Sequence, residues 1–176
     1  MSDTRISDEM RAAVGTELSR RVSYPISASD IRRWALAVYW PERPPAQFLI
    51  DADSAGTNPD GSLKAPEEFN PFAWAVADSS TAVPAATNSG DLGPDRMEIQ
   101  AGIRGPGLTR ELNGGMAVEY GVSMRSGDVI TSITQLGPYS ERTGRLGLML
   151  FSTVEDIWTN QLGEQVKRTV NTLIRY

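Results

Sequence analysis

The 176-residue chain is predicted to be an α+β domain in which a curved antiparallel sheet wraps a long apolar helix. Two observations predict this class. Ile31, Trp34, Ala35 and Val38 follow the i, i+3, i+4, i+7 spacing of a helix, and Leu36, Ala37 and Tyr39 extend its apolar surface almost all the way round, so it is expected to be buried. The C-terminal half instead reads as a meander of about four strands separated by glycine-containing turns. An apolar helix followed by long antiparallel strands has few compact solutions, because the apolar face of the sheet must cover the helix.

The elements follow in chain order. Residues Ser7 to Leu18 form a weakly amphipathic, peripheral helical stretch, with Met10, Ala13, Val14 and Leu18 on helical spacing and an end or kink near Gly15. Val22, Tyr24 and Ile26 alternate within a short strand over Ser19 to Ser27, which requires an edge or end position for Pro25. Ser27 or Ser29 caps the apolar helix, Asp30 suits its positive end, and Pro41, Pro44 and Pro45 stop it. Residues Glu42 to Lys64 read as a long connection, Ala65 to Val76 as a short aromatic helix or turn broken at Pro71, and Asp78 to Arg96 as a surface loop. Strands are then expected over Val118 to Arg125, Val129 to Leu136, Arg145 to Trp158 and Glu164 to Arg175. Their turns are placed at Ser126-Gly127-Asp128, Gly137-Pro138, Thr143-Gly144 and Leu162-Gly163. The organisation is an N-terminal helical extension over residues 1–17 and one domain over 18–176, with long insertions at about 41–64 and 78–97.

Composition removes several chemistries. There is no His and no Cys, so thiolate zinc sites, Ser-His-Asp triads, cysteine nucleophiles and a histidine base are excluded, and no metal site is expected. Acid–base work by this chain alone falls to Asp, Glu, Tyr or Lys. The formal net charge of -5 disfavours a nucleic-acid backbone binder. No apolar run approaches the roughly 20 residues of a spanning helix, and the acidic N-terminus is unlike a secretory signal, so a soluble cytoplasmic protein is expected.

The segments Arg33-Trp34-Ala35-Leu36-Ala37-Val38-Tyr39-Trp40-Pro41-Glu42 and Ala65-Pro66-Glu67-Glu68-Phe69-Asn70-Pro71-Phe72-Ala73-Trp74 carry a family resemblance. It continues through Leu112-Asn113-Gly114-Gly115, Glu119-Tyr120, Arg125-Ser126-Gly127-Asp128, Arg142-Thr143-Gly144-Arg145-Leu146-Gly147 and Asn160-Gln161-Leu162-Gly163-Glu164. In this order, over roughly residues 16 to 176, the chain resembles the N-terminal-type hotdog domain of MaoC-like dehydratases, relatives of the R-specific enoyl-CoA hydratases.

The resemblance implies a hotdog fold and a thioester of coenzyme A as substrate, with no other cofactor. Catalytic members use an Asp and a His in a Gly-Asp-x-Asn-Pro-x-His motif, one group taking a proton from water while the other manages the proton at the alpha carbon. At the matching place this chain reads Tyr39-Trp40-Pro41-Glu42-Arg43-Pro44-Pro45, without the dyad. Glu42 is then either a lone base or a solvated loop carboxylate. The first expectation is a non-catalytic, substrate-binding subunit of a heteromeric enoyl-CoA hydratase or dehydratase, completing the pocket of a second hotdog chain that bears the dyad. The alternatives are a self-sufficient hotdog thioesterase, with Glu42, Asp51 or Asp53 as base or nucleophile, and a non-enzymatic acyl-CoA-binding module. A homodimer is the other assembly expected, and the long connection after Pro41 suits a pocket opened for a bulky or long acyl group.

Trp40, Phe69, Phe72 and Trp74 are expected either to line an apolar cleft or to bury the helix end, while Trp34 and Val38 face the core. Asn70 and Asn113 are candidates to hydrogen-bond a thioester carbonyl or to serve as turn residues. Asn113-Gly114-Gly115 allows close backbone approach for a ligand or a turn, the turn being favoured. Arg104, Arg110 and Arg125 suit either coenzyme A phosphates or surface pairing with acidic neighbours. Gly102 to Gly107 has the wrong glycine spacing for a phosphate loop.

Overall fold

The computed structural model describes residues 4–49, 62–81, 93–145 and 147–176. Six strands form one curved antiparallel sheet in the order β2-β1-β4-β5-β6-β3. They are β1 (Glu17–Val22), β2 (Asp78–Thr81), β3 (Glu111–Tyr120), β4 (Thr131–Gly144), β5 (Gly147–Thr159) and β6 (Gln165–Arg175). The helices are α1 (Asp8–Ala12), α2 (Ala28–Val38) and α3 (Arg96–Gln100), with a 3-10 turn at Ala46–Phe48.

The first helix is shorter than its periodicity suggests. Ser7 caps it by accepting from the Met10 N–H at 3.1 Å, Gly15 turns the chain with φ of 90°, and Leu18 points into the sheet as part of β1. The strand therefore begins before Ser19 and ends at Val22, and Pro25 lies beyond it where no ladder bond is lost. Ser27, not Ser29, caps α2 through its Oγ and the Asp30 N–H at 3.0 Å. The helix is buried on one face only. Ile31 and Ala35 are inaccessible, Trp34 is half-buried, and Leu36, Val38 and Trp40 stand outside, so the expectations of burial all round and of a core-facing Val38 are corrected.

Residues 65–76 contain turns and no helix, because Pro71 removes a backbone donor and the Asn70 Oδ1 captures the Phe72 N–H at 3.0 Å. The expected surface loop holds β2 at its start, paired with β1, and leads into α3 at its end. The third strand lies earlier than expected, at Glu111–Tyr120. Past it, Gly121 runs so close to β6 that a Cβ there would stand 2.0 Å from the Gln165 carbonyl oxygen.

Gly137-Pro138 is not a turn. It is a bulge inside β4, where pairing jumps from Leu136 opposite Val154 to Tyr139 opposite Ser152. The extra residue excuses the missing proline donor, and the Pro138 carbonyl accepts from the Thr153 hydroxyl at 2.8 Å. The turn at Leu162-Gly163 lies where glycine punctuation put it, whereas Thr143 and Gly144 are the last residues of β4, paired with Leu148 and Gly147, and the chain reverses just after them.

The core falls into separate clusters along the inner face of the sheet. Under α2, Ile31, Phe69, Ile130, Trp158 and Val166 pack together; at the other end Leu18, Met97 and Leu136 form a second cluster, and Ile6, Met10 and Leu150 a third. Beside the second and third lies a buried polar knot. Both Arg175 and Glu98 are fully buried, and the guanidinium donates to the carboxylate through two nitrogens at 2.6 and 2.8 Å. Arg175 also donates to the Ser152 Oγ at 3.0 Å and to the Pro94 carbonyl, while the Tyr139 hydroxyl donates to Glu98 at 2.7 Å. Asp95, 3.4 Å from Arg175, accepts from the Gly107 N–H. The knot thereby ties residues 94–107 to the end of β6.

Removing one member of a buried, fully bonded ion pair leaves the other charge stranded. Arg175→Met is therefore expected to lower the unfolding free energy by about 3–5 kcal/mol, while the double replacement Glu98→Leu with Arg175→Met recovers most of the loss; urea unfolding of both variants checks this. Burial, and then the bond to Glu98, pushes the Tyr139 phenol well above the usual tyrosine range. Its contribution to stability is complete below the unfolded value of about 10 and is lost as pH rises beyond it. Tyr139→Phe should flatten that alkaline decline in thermal unfolding.

Candidate functional site

Strand alternation sends Ser132, Thr134 and Leu136 of β4, Val154, Asp156 and Trp158 of β5, and Lys167, Thr169, Asn171 and Leu173 of β6 to the inner face. This row is not uniformly apolar. At the α2 end, Asp156 accepts from the Trp158 indole at 2.8 Å and from the Ser132 hydroxyl at 2.7 Å, with Arg21 at 3.6 Å. The Arg21 guanidinium lies 4.6 Å from the Phe72 ring, which meets Trp158 edge-on at 5.2 Å. Lys167 sits against the faces of Trp158 and Tyr120 and lies 3.5 Å from Glu68, to which the Tyr120 hydroxyl also donates.

Between this end and the polar knot a groove of about 480 Å³ remains open. Its floor is Leu18, Thr134, Val154, Asn171 and Leu173, its roof is α3 with Met97 and Gln100, and Asn113 stands at its β3 side. A larger cleft of about 800 Å³ lies past the far end of β3, bordered by Gln47, Lys64, Arg125, Asp128, Asn160 and Glu164. Its walls are already cross-linked. The Asn160 amide donates to Glu164, Gln161 donates to Asp128, and Asp128 accepts from the Arg125 backbone. Among the described residues no cluster of Asp and Glu could hold a metal ion.

The structure disperses the aromatic residues singled out from sequence. Phe69 is in the core, edge-on to Trp34 at 5.7 Å, and Phe72 is half-buried on Trp158. Trp74 is 63% exposed beside Tyr24 and Asp30 at the start of α2, whereas Trp40 is 80% exposed just past its end. The ten residue steps from Asp30 to Trp40 separate those ends by about 15 Å, so the four do not line one cleft. Glu42 is exposed in the turn after α2, its N–H bonded to the Tyr39 carbonyl; Asp51 and Asp53 lie outside the described residues.

Asn70 is spent on its own turn. Asn113, Gly114 and Gly115 form a bulge in the edge strand, not the favoured turn: pairing skips between Asn113 and Gly115, and the Asn113 Oδ1 accepts from the Gly115 N–H at 2.8 Å. Gly115 has φ of 113°, and a Cβ on Gly114 would stand 2.9 Å from the Thr172 methyl. Arg104 and Arg110 are exposed, with the Arg110 backbone paired to Tyr176, and Arg125 lines the larger cleft within 3.4 Å of the Ser62 hydroxyl.

A curved six-stranded antiparallel sheet with helices on its inner face is a hotdog fold. Residues 12–169 match the family described as FAS1-like, dehydratase domain region, and the chain belongs to that family. No curated protein matches the sequence. The fold is similar to that of the ChsH1-ChsH2 complex from Mycobacterium tuberculosis, with a TM-score of 0.59 and 18% identity over 96% of this chain and 87% of that one. It is similar also to the MaoC-like dehydratase from Rhodospirillum rubrum, with a TM-score of 0.52 and 17% identity over 93% and 92% of the two chains. A third similar structure is C-terminally truncated HadBC, a 3R-hydroxyacyl-ACP dehydratase complex from M. tuberculosis, with a TM-score of 0.51 and 15% identity over 92% and 96%. Identities at this level establish the fold. Among the described residues no helix is long and apolar enough to cross a membrane.

Of the groove residues, Asn113 was singled out from sequence as a site candidate, whereas Thr134 and Asn171 were not. Thr134 and Asn171 fall at inward positions between one polar and one apolar neighbour on that face, Ser132 and Leu136 for the first and Thr169 and Leu173 for the second, so alternation did not mark them. Gly115→Ala is expected to cost about 1–3 kcal/mol, the usual strain of a side chain at positive φ, read as a lower denaturation midpoint.

Proposed function

We propose that this chain is the substrate-binding, dyad-lacking subunit of a heteromeric enoyl-CoA hydratase or dehydratase. The observation that carries the reading is the absence of any histidine in a member of a dehydratase family. Where catalytic relatives place their Asp and His, this chain has the exposed turn Tyr39 to Pro45, with Trp40 and Glu42 facing outward. A partner hotdog chain would supply the Asp that orients water and the His that moves its proton, and this chain would complete the pocket for the acyl-CoA thioester.

The sheet supports a partner at one edge. Among the described residues nothing pairs with the outer side of β3, and its Leu112, Met116 and Tyr120 side chains are exposed. An uncovered ten-residue apolar edge is a template for a second strand. Two similar structures, ChsH1-ChsH2 and HadBC, are complexes of two named components, which agrees with a heteromer.

Native mass spectrometry of the chain captured gently from its own cell extract, with hydration of a trans-2-enoyl-CoA assayed on the same sample, tests the reading. The expected result is a complex with a histidine-bearing hotdog chain, active only as that complex. A homo-oligomer that hydrates the thioester unaided would overturn it. Met116→Glu should abolish association while shifting the stability of the isolated chain by no more than about 0.5 kcal/mol, as for other exposed substitutions.

A further inference from the structure

We propose that the groove under α3 binds a single extended acyl chain that carries an oxygen function near its far end. This rests on the acyl-CoA reading above and names the substrate class.

The groove crosses the sheet instead of following a strand. Its floor passes from Asn113 on β3 through Asn171 on β6, Val154 on β5 and Thr134 on β4 to Leu18 on β1. Four strand spacings make that path about 19 Å long. A volume of about 480 Å³ along this path has room for an extended hydrocarbon chain.

Entry and orientation follow from the edges. The Asn113 end lies on the strand whose outer side is unpaired, where a partner's active site can reach, whereas the Leu18 end is closed by the core cluster of Met97 and Leu136. The thioester therefore belongs at β3 and the chain terminus near β4 and β1.

The lining is not what a plain alkyl chain needs. Val154, Leu173, Met97 and Leu18 supply apolar walls, but Thr134 and Asn171 face the groove and their side chains make no hydrogen bond to described residues. Asn113 uses its oxygen on Gly115, leaving its amide hydrogens. Thr134 lies two strand spacings beyond Asn171, about 10 Å deeper, so its hydroxyl meets the distal part of the chain. A partner-seeking hydroxyl at the closed end of an apolar groove selects a ligand with a hydroxyl or carbonyl at that depth.

Calorimetric titration of the full chain with dodecanoyl-CoA and ω-hydroxydodecanoyl-CoA tests this. The hydroxylated thioester should bind about fivefold more tightly, the gain of one net hydrogen bond. Thr134→Val should erase that preference while sparing dodecanoyl-CoA, and Val154→Phe should weaken both ligands by at least about tenfold by filling the path. Trp40→Ala, outside the groove, should change neither. If Val154→Phe does not fold, the comparison of the two ligands on Thr134→Val, which changes a single half-buried side chain, decides the proposal by itself. No binding, equal binding of the two ligands, or tight binding that Thr134→Val leaves selective would overturn the proposal. Selective binding by a chain that assembles with no histidine-bearing partner would uphold the groove and sink the hydratase reading instead.

Discussion

The bonded pair of Arg175 and Glu98 is the constraint around which the rest of the molecule is arranged. Each charge is wholly removed from water and tolerable only because the other is present with its hydrogen bonds satisfied. Arg175 is the last residue of β6, and Glu98 sits on a helix of five residues that would not persist alone. The pair therefore converts a marginal helix into a fixed roof. Ser152, Pro94 and Tyr139 complete the shell, so β4, β5, β6 and the 94–107 segment meet at one point.

That roof defines the groove. Where the knot anchors α3, Met97 reaches the sheet and closes one flank, while α2 and the Phe69-Phe72 turns close the other. Neither flank reaches the middle of the sheet, and the residues there are correspondingly mixed in polarity. A helix lying along the full face would have demanded apolar side chains at Thr134, Asp156, Thr169 and Asn171. The composition of the strands and the incompleteness of their cover are thus two expressions of one arrangement.

Much of the fold was legible because it depended on short-range rules. The three long strands, the turn at Gly163, and a cap at Ser27 or Ser29 follow from alternation and local hydrogen bonding. Gly137-Pro138 was misread because a bulge and a turn draw on the same residues and differ only in what faces them across the sheet, here Thr153. The same ambiguity attended Asn113 to Gly115. The burial of α2 was overstated because periodicity measures apolarity, not the presence of something to cover it. Phe69 and Trp74 look alike in sequence, yet one is enclosed and the other open, a difference decided by tertiary contacts with Trp34. The lack of histidine was legible outright as a fact of composition.

The two borders of the sheet are unequal. One is β2, four residues long; the other is β3, ten residues long and interrupted by its bulge. A strand that complements the long border finds no counterpart at the short one, so copies joined edge to edge have nowhere to continue. Through the described strands, growth by strand addition ends after a single step, and this asymmetry protects the molecule from polymerising into a fibre.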